Sequence, residues 1–152
     1  MLQRIQTVYL LIIAILAAVM LFLPLAVLQA GNNFYTFDVF GVTSVAAESE
    51  LVHSTWGLFI ITALIALLAL ITLFLYKKRM LQIRLCIFNA FLMLGFYGFF
   101  AYLMFIMKQQ LDLSFSVRIA LSFPIICLIL DYLAIRNIGA DETLVRSLER
   151  LR

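Results

Sequence analysis

The sequence predicts an all-α membrane protein, a four-transmembrane-helix bundle with a short β-prone outer loop and a C-terminal amphipathic helix. The first reason is composition: 66% of the 152 residues are hydrophobic and 12% are charged, with a mean hydropathy of +1.13. A soluble domain is about half apolar and a quarter charged. The second reason is the presence of four long apolar stretches. The third is that basic residues gather beside those stretches, a pattern that encodes orientation in a membrane.

Each apolar stretch is close to the length of about 20 residues that crosses a hydrocarbon core of about 30 Å. The predicted spans cover residues 7–28, 55–76, 85–107 and 117–135 of a single membrane domain, residues 1–152. The first span has a rival interpretation as a signal peptide cleaved after Ala30. Secretory apolar regions usually run about 7–15 residues, so the longer stretch favours a retained helix.

The predicted outer loop, residues 29–54, contains three acidic residues and no lysine or arginine. Its segment 33–40 is rich in aromatic and β-forming residues, which predicts a short strand or hairpin. Two interpretations of the loop are open, a recognition surface and an amphipathic cap that rests in the membrane interface. The cap is favoured because aromatic side chains are at home in that interface.

The C-terminal segment, residues 141–152, predicts a separate helix. Acids occupy its first turn and arginines its last, which suits the helix macrodipole, and Gly139 predicts the end of the preceding span. An apolar face is formed by Leu144, Leu148 and Leu151. This face predicts either a helix that lies in the interface among anionic lipids or a helix that docks on a membrane or cytoplasmic protein.

The distribution of positive charge predicts that both termini are cytoplasmic. With the N-terminus inside, the cytoplasmic side carries nine basic residues and the outer side carries two, Lys108 and Arg118. Short loops rich in lysine and arginine remain in the cytoplasm. The nine residues are Arg4, Lys77, Lys78, Arg79, Arg84, Arg136, Arg146, Arg150 and Arg152.

Helices in lipid associate through small residues and polar contacts, so lines of small residues predict the interior faces. One such line is drawn along each span at helical spacing. The four lines are Arg4, Thr7, Leu11, Ala14 and Ala18; Thr55, Thr62, Ala66 and Ala69; Arg84, Phe88, Phe91, Gly95, Gly98 and Tyr102; and Ala120, Pro124, Cys127, Asp131 and Ala134.

Three of these lines carry a charged residue near the cytoplasmic end, which predicts an intramembrane polar cluster of Asp131, Arg84, Arg4 and Asn89. An unpaired carboxylate inside the hydrocarbon costs about 2.5–3.5 kcal/mol at the centre and less near the edge, so an arginine partner is expected. Two roles are open. The favoured one is a structural clasp that fixes the helix register, and the other is a proton- or ion-handling site.

No motif in the sequence indicates enzymatic chemistry, a cofactor or a metal. A spaced Cys/His set, a phosphate-binding glycine loop, an H-E-x-x-H motif and a G-x-S-x-G motif are all absent. Nucleic-acid binding has no support either. The two cysteines, Cys86 and Cys127, fall within or beside spans and are interpreted as small apolar residues rather than a disulfide.

The two ends of the chain carry a family resemblance. The opening MLQRIQTVYL and the closing DETLVRSLERLR, around four spans, resemble a domain-of-unknown-function family of small bacterial inner-membrane proteins with four transmembrane helices. The resemblance covers the whole chain. It implies a bacterial cytoplasmic membrane and no established activity, and it brings no catalytic residues.

The sequence therefore predicts a non-enzymatic inner-membrane protein that serves as an accessory or scaffold component of a larger membrane assembly. Its predicted partners are the lipid bilayer and a membrane or cytoplasmic protein that docks on the C-terminal helix. The alternative is a small transporter or channel component that uses the Asp131 cluster. The absence of a polar path through the spans favours the scaffold, and the buried acid favours transport.

Overall fold

The computed structural model describes residues 2–45, 51–111, 114–117 and 119–151. These residues form α-helices, short β-strands and one 3-10 turn. In chain order the elements are α1 (Leu2–Met20), β1 (Ala26–Ala30), β2 (Asn33–Phe37), β3 (Gly41–Ser44), β4 (Leu51–Ser54), α2 (Trp56–Phe74), α3 (Arg79–Leu111), β5 (Ser114–Val117), the 3-10 turn (Ile119–Ser122) and α4 (Phe123–Arg150).

The helices pack side by side, each against two neighbours. Helix α1 contacts α2 and α4, and α3 contacts the same two helices from the other side. Small side chains make this close packing possible, because Ala14, Ala17 and Ala69 are all buried. We call the end of the helices that carries the start of α1, the α2–α3 loop and the end of α4 the distal end.

Three of the helices, α2, α3 and α4, are long and apolar enough to cross a membrane. Helix α1 is apolar over a shorter length, from Ile5 to Met20. The predicted end of the first span at residue 28 is wrong, because residues 26–30 form strand β1. Hydropathy did not separate the two elements, since a buried strand and a buried helix are equally apolar.

The predicted β-prone outer loop is confirmed as a sheet, which lies at the end opposite the distal end. The five strands are antiparallel in the order β4-β3-β2-β1-β5, so the sheet also recruits β1 and β5 from outside the predicted loop. A two-residue turn joins β1 to β2, and Gly31 adopts the left-handed φ of 62° that the turn requires. Phe37 anchors the sheet to the helices through an edge-on contact with Phe100, at 5.1 Å between ring centroids.

Helix α4 does not end at Gly139, and the predicted separate tail helix is wrong as a separate element. The helix continues without interruption from Phe123 to Arg150. The turn around Gly139 packs against the other helices, as the burial of Ile138 and Asp141 shows. A glycine inside a helix costs only about 1 kcal/mol relative to alanine, and this packing offsets that cost.

The predicted interior faces were right for two helices and wrong for two. Helix α2 buries Thr62 and Ala69, and α4 buries Pro124, Cys127, Asp131 and Ala134, as predicted. Helix α1 is rotated, so that Leu11 is exposed. Helix α3 is turned away from its predicted line, whose described members are exposed: Arg84, Phe88, Phe91, Gly95, Gly98 and Tyr102. The buried side chains of α3 are Gln82, Cys86, Asn89, Met93, Phe96, Phe100, Leu103 and Met107.

Candidate functional site

The acid of the fourth apolar stretch, Asp131, lies in the interior of the packed helices. Its exposed fraction is 0%. Neither carboxyl oxygen has a hydrogen-bond partner among the residues that the structure describes. A buried polar group of this kind is rare, because leaving it unsatisfied costs about 1–3 kcal/mol, and more when it is charged.

Two thiols border the Asp131 carboxyl. Cys86 of α3 interacts with it across the helix interface, although their contact does not meet the geometry of a hydrogen bond. Cys127 lies one turn before Asp131 on the same face of α4. Both cysteines are free and buried. Thiols are weak donors, so these neighbours do not compensate a carboxylate charge.

Asn89 is buried near the same depth, and its Oδ1 also has no hydrogen-bond partner in the described part of the chain. Helices α3 and α4 run antiparallel, and Arg79 lies against Asp141 at one end while Tyr97 lies against Ile125 nearer the other. This register puts Asn89 at the level of Asp131. The interior therefore holds three acceptor oxygens, two from Asp131 and one from Asn89, without a described donor.

The structure does not bring Arg84, one of the two predicted arginine partners, to Asp131. Arg84 is exposed, because it precedes Cys86 by two residues and so lies about 200° around the helix from it. The predicted Arg84–Asp131 pair is therefore wrong, and its origin is the incorrect rotation of α3. Arg4 belongs to α1, but its side chain falls outside the described residues. Of the four predicted cluster members, the structure places Asp131 and Asn89 in the interior.

A second polar group, which the sequence analysis did not predict, joins three helices at the distal end. The side-chain amide of Gln6 donates to Oδ2 of Asp141 at 3.1 Å, and both residues are buried. Arg79 donates to the backbone carbonyl of Asp141 at 3.4 Å. We call Gln6, Arg79 and Asp141 the distal cluster. Helical spacing could have predicted that Asp141 is buried, because it continues the series of buried positions 127, 131, 134 and 138. The sequence analysis missed this because it expected the helix to end at Gly139.

The C-terminal end of α4 exposes the predicted leucine face, Leu144, Leu148 and Leu151. Their exposed fractions are 54%, 65% and 85%. Arg146 in the same turns is also exposed, and it forms a salt bridge at 3.0 Å with Glu142, which is partly buried. The helix beyond Asp141 thus extends past the packed helices with its apolar face uncovered.

The opposite end is held by polar contacts between the sheet and the helices. The Thr55 hydroxyl lies 2.9 Å from the carbonyl oxygen of Asp38 and 3.0 Å from that of Val39. Burial raises the pKa of the Asp38 carboxyl, whose Oδ1 has no described partner. The Tyr97 hydroxyl donates to the carbonyl of Leu121 at 2.7 Å and accepts from the backbone N–H of Ile125 at 3.1 Å. Helix α3 thereby fixes the start of α4.

Within the described residues, no group of three or more His, Cys, Asp or Glu side chains could hold a metal ion. Three helices of spanning length and an acid inside them define the class, a helical membrane protein. The chain belongs to the family described as Domain of unknown function (DUF4293), whose model matches residues 2–151. This match confirms the predicted resemblance to a family of unknown function. No curated protein matches the chain.

Proposed function

We propose that the protein is a four-span protein of the bacterial inner membrane, with both termini in the cytoplasm, that acts as a non-enzymatic accessory or scaffold component of a larger membrane assembly. In this proposal the distal end faces the cytoplasm and the sheet faces outward. The partner docks on the leucine face of α4. The observation that carries the proposal is the uninterrupted run of α4 from the packed helices into that uncovered apolar face.

The orientation is supported by the sequence, in which the predicted cytoplasmic segments hold nine basic residues and the predicted outer segments hold two. A fourth span is supported by the length and packing of α1. Its 19 residues rise about 28 Å, close to the thickness of a hydrocarbon core, and it lies against both α2 and α4. The retained first helix is favoured over a signal peptide, because cleavage after Ala30 would remove α1 and also β1. Strand β1 lies between two partner strands, β2 and β5.

The continuity of α4 favours docking over the interfacial helix. A helix lies flat in the interface only if it bends away from the segment that crosses the membrane. Helix α4 has no break between Asp131 and Leu148, so its final turns stand out of the membrane along the same axis. Leucines held in water on such a helix form an apolar surface that a protein partner would cover.

The test is affinity purification of the tagged full-length protein from its native host in mild detergent, with identification of the co-purifying proteins. We expect a stoichiometric partner with the native chain and its loss with the Leu144→Gln/Leu148→Gln double variant. Glu142→Gln/Arg146→Gln, on the opposite side of the same turns, is the matched control and should keep the partner. A preparation that is free of partners, or equal retention by both double variants, contradicts the proposal.

A transporter or channel component is the second candidate function, and one observation favours it. The clasp interpretation of Asp131 required a cationic partner, and neither carboxyl oxygen has a described hydrogen-bond partner. An acid without a structural partner inside a membrane is more typical of a residue that handles a proton or an ion. The Asp131 substitutions in the Discussion separate the two roles.

A further inference from the structure

A groove opens at the distal end, between the first residues of α3 and the last turns of α4. It has a volume of about 560 Å³ and is lined by residues 77–81 on one side and by Glu142, Val145, Arg146 and Glu149 on the other. The continuity of α4 creates this groove, because a helix that ended at Gly139 would leave residues 77–81 without an opposite wall. The bond from Arg79 to the carbonyl of Asp141 joins the two walls at one end.

The charge of the groove is positive. Four basic side chains line it against two acidic ones, and the salt bridge between Arg146 and Glu142 neutralises one of each. Lys77 and Lys78 are exposed and form no salt bridge with a described residue. An anion in the groove would therefore meet positive charge that is not compensated within the described part of the protein.

The start of α3 adds to this positive potential. The carbonyl of Lys78 accepts the N–H of Gln82, so Lys78 lies at the first turn of the helix. The N–H groups of that turn have no acceptor within the helix, and no acidic side chain occupies the turn. The positive end of the macrodipole and the two lysines thus favour the same kind of ligand, an oxyanion such as a phosphate group.

Apolar side chains at the groove indicate where that phosphate comes from. Met80 and Leu81 line the groove and are exposed, and the last residue of α2, Phe74, is also exposed. A water-soluble anion would leave these side chains uncovered, whereas an acyl chain would lie along them. We propose that the groove binds the phosphate headgroup of an anionic glycerophospholipid from the leaflet at the distal end.

This site is separate from the leucine face. The groove is centred on Glu142 and Arg146 of α4, and the leucines lie about 120° or more around the helix from these two residues. The groove and the leucine face meet at Val145 and Glu149. Neutralising lysines at positions 77 and 78 changes no residue of the leucine face. A failure of lipid binding is therefore distinguishable from a failure of protein docking.

The experiment is native mass spectrometry of the detergent-solubilised full-length protein, titrated with phosphatidylglycerol and with phosphatidylcholine. We expect the Lys77→Gln/Lys78→Gln variant to bind phosphatidylglycerol roughly thirtyfold more weakly, since two basic residues near a membrane surface contribute about one kcal/mol each. Binding of phosphatidylcholine should not change. Lys77→Arg/Lys78→Arg should retain the preference for phosphatidylglycerol over phosphatidylcholine. Lys108→Gln, at the sheet end, should bind both lipids as the native chain does.

Three results would overturn the proposal. The first is an unchanged preference for phosphatidylglycerol in Lys77→Gln/Lys78→Gln. The second is a loss of phosphatidylglycerol affinity in Lys108→Gln equal to that in Lys77→Gln/Lys78→Gln, which would indicate a general effect of charge. The third is complete displacement of the lipid by millimolar glycerol phosphate, which would assign the groove to a soluble anion.

Discussion

The amide nitrogen of Gln6 donates to Oδ2 of Asp141 at 3.1 Å, across 135 residues of chain. The bond joins the beginning of α1 to α4 at the point where α4 leaves the packed helices, and both residues are buried. A buried hydrogen bond to a charged group contributes about 1.5–3 kcal/mol. The distal cluster therefore fixes the beginning of α1 against α4 and supports the direction of the final turns of α4.

The first prediction concerns this bond. Asp141→Ala removes the acceptor and leaves the Gln6 amide buried without a partner, so we expect the free energy of unfolding to fall by about 1–3 kcal/mol. The measurement is thermal unfolding of the purified protein in detergent. Thr143→Ala, at an exposed position two residues after Asp141 on the other side of the helix, is the control and should unfold near the native temperature. Equal stability of Asp141→Ala and the native protein would show that the bond contributes nothing.

The second prediction concerns Asp131. Because neither carboxyl oxygen has a described hydrogen-bond partner, Asp131→Asn and Asp131→Leu should fold in normal amounts, and Asp131→Leu should unfold at the native temperature or higher. Thermal unfolding and membrane abundance are the measurements. With the fold intact, a selective loss of a cellular phenotype would support ion or proton handling. Loss of folded protein in both variants would instead establish the clasp.

The third prediction uses the glycine inside α4. Gly139 has an ordinary helical backbone, and a Cβ added there meets no atom within 4 Å. Gly139→Ala should therefore stabilise the protein by up to about 1 kcal/mol, because alanine loses less conformational freedom in a helix. Thermal unfolding checks the sign. Had Gly139 ended the helix in a left-handed conformation, the same substitution would destabilise the protein.

The fourth prediction is a dependence on pH at the sheet end. Burial raises the pKa of Asp38 above 3.8 in the folded protein, so the folded state holds this proton more tightly than the unfolded state does. Its contribution to stability is complete below pH 3.8 and is lost as the pH rises through the folded pKa. Asp38→Asn should therefore unfold at a higher temperature than the native chain at pH 7, and the difference should narrow toward pH 4. A difference that is constant over this range would contradict the assignment.

The fifth prediction concerns the Tyr97 hydroxyl. Tyr97→Phe leaves the N–H of Ile125 and the carbonyl of Leu121 without this partner, so we expect a loss of about 1–2 kcal/mol in thermal or denaturant unfolding. Tyr102→Phe is the matched control on the same helix, because Tyr102 is 59% exposed. If the two variants lose the same stability, the hydroxyl of Tyr97 has no special role at the start of α4.

The candidate sites were only partly predictable, and the reason lies in α3. This helix is apolar around most of its circumference, so the rotation that neighbours impose on it is weakly encoded in its own sequence. The small residues Gly95 and Gly98 favoured one rotation, but Met93, Phe96 and Phe100 fill the interior instead. The incorrect rotation placed Arg84 on the interior face of α3, so the predicted pair of Arg84 with Asp131 was also wrong.

By itself, the sequence determined the membrane character of the protein, the approximate positions of α2, α3 and α4, the β-prone loop and the small-residue face of α4, because hydropathy and spacing are properties of local segments. The tertiary structure alone decided where α1 ends, how α3 is rotated, that α4 continues past Gly139 and that Asp141 meets Gln6. Each of these depends on the partner that a segment finds far along the chain. Strand β1 is a strand because β2 and β5 pair with it, and α4 continues because its turn at Asp141 is buried against α1 and α3.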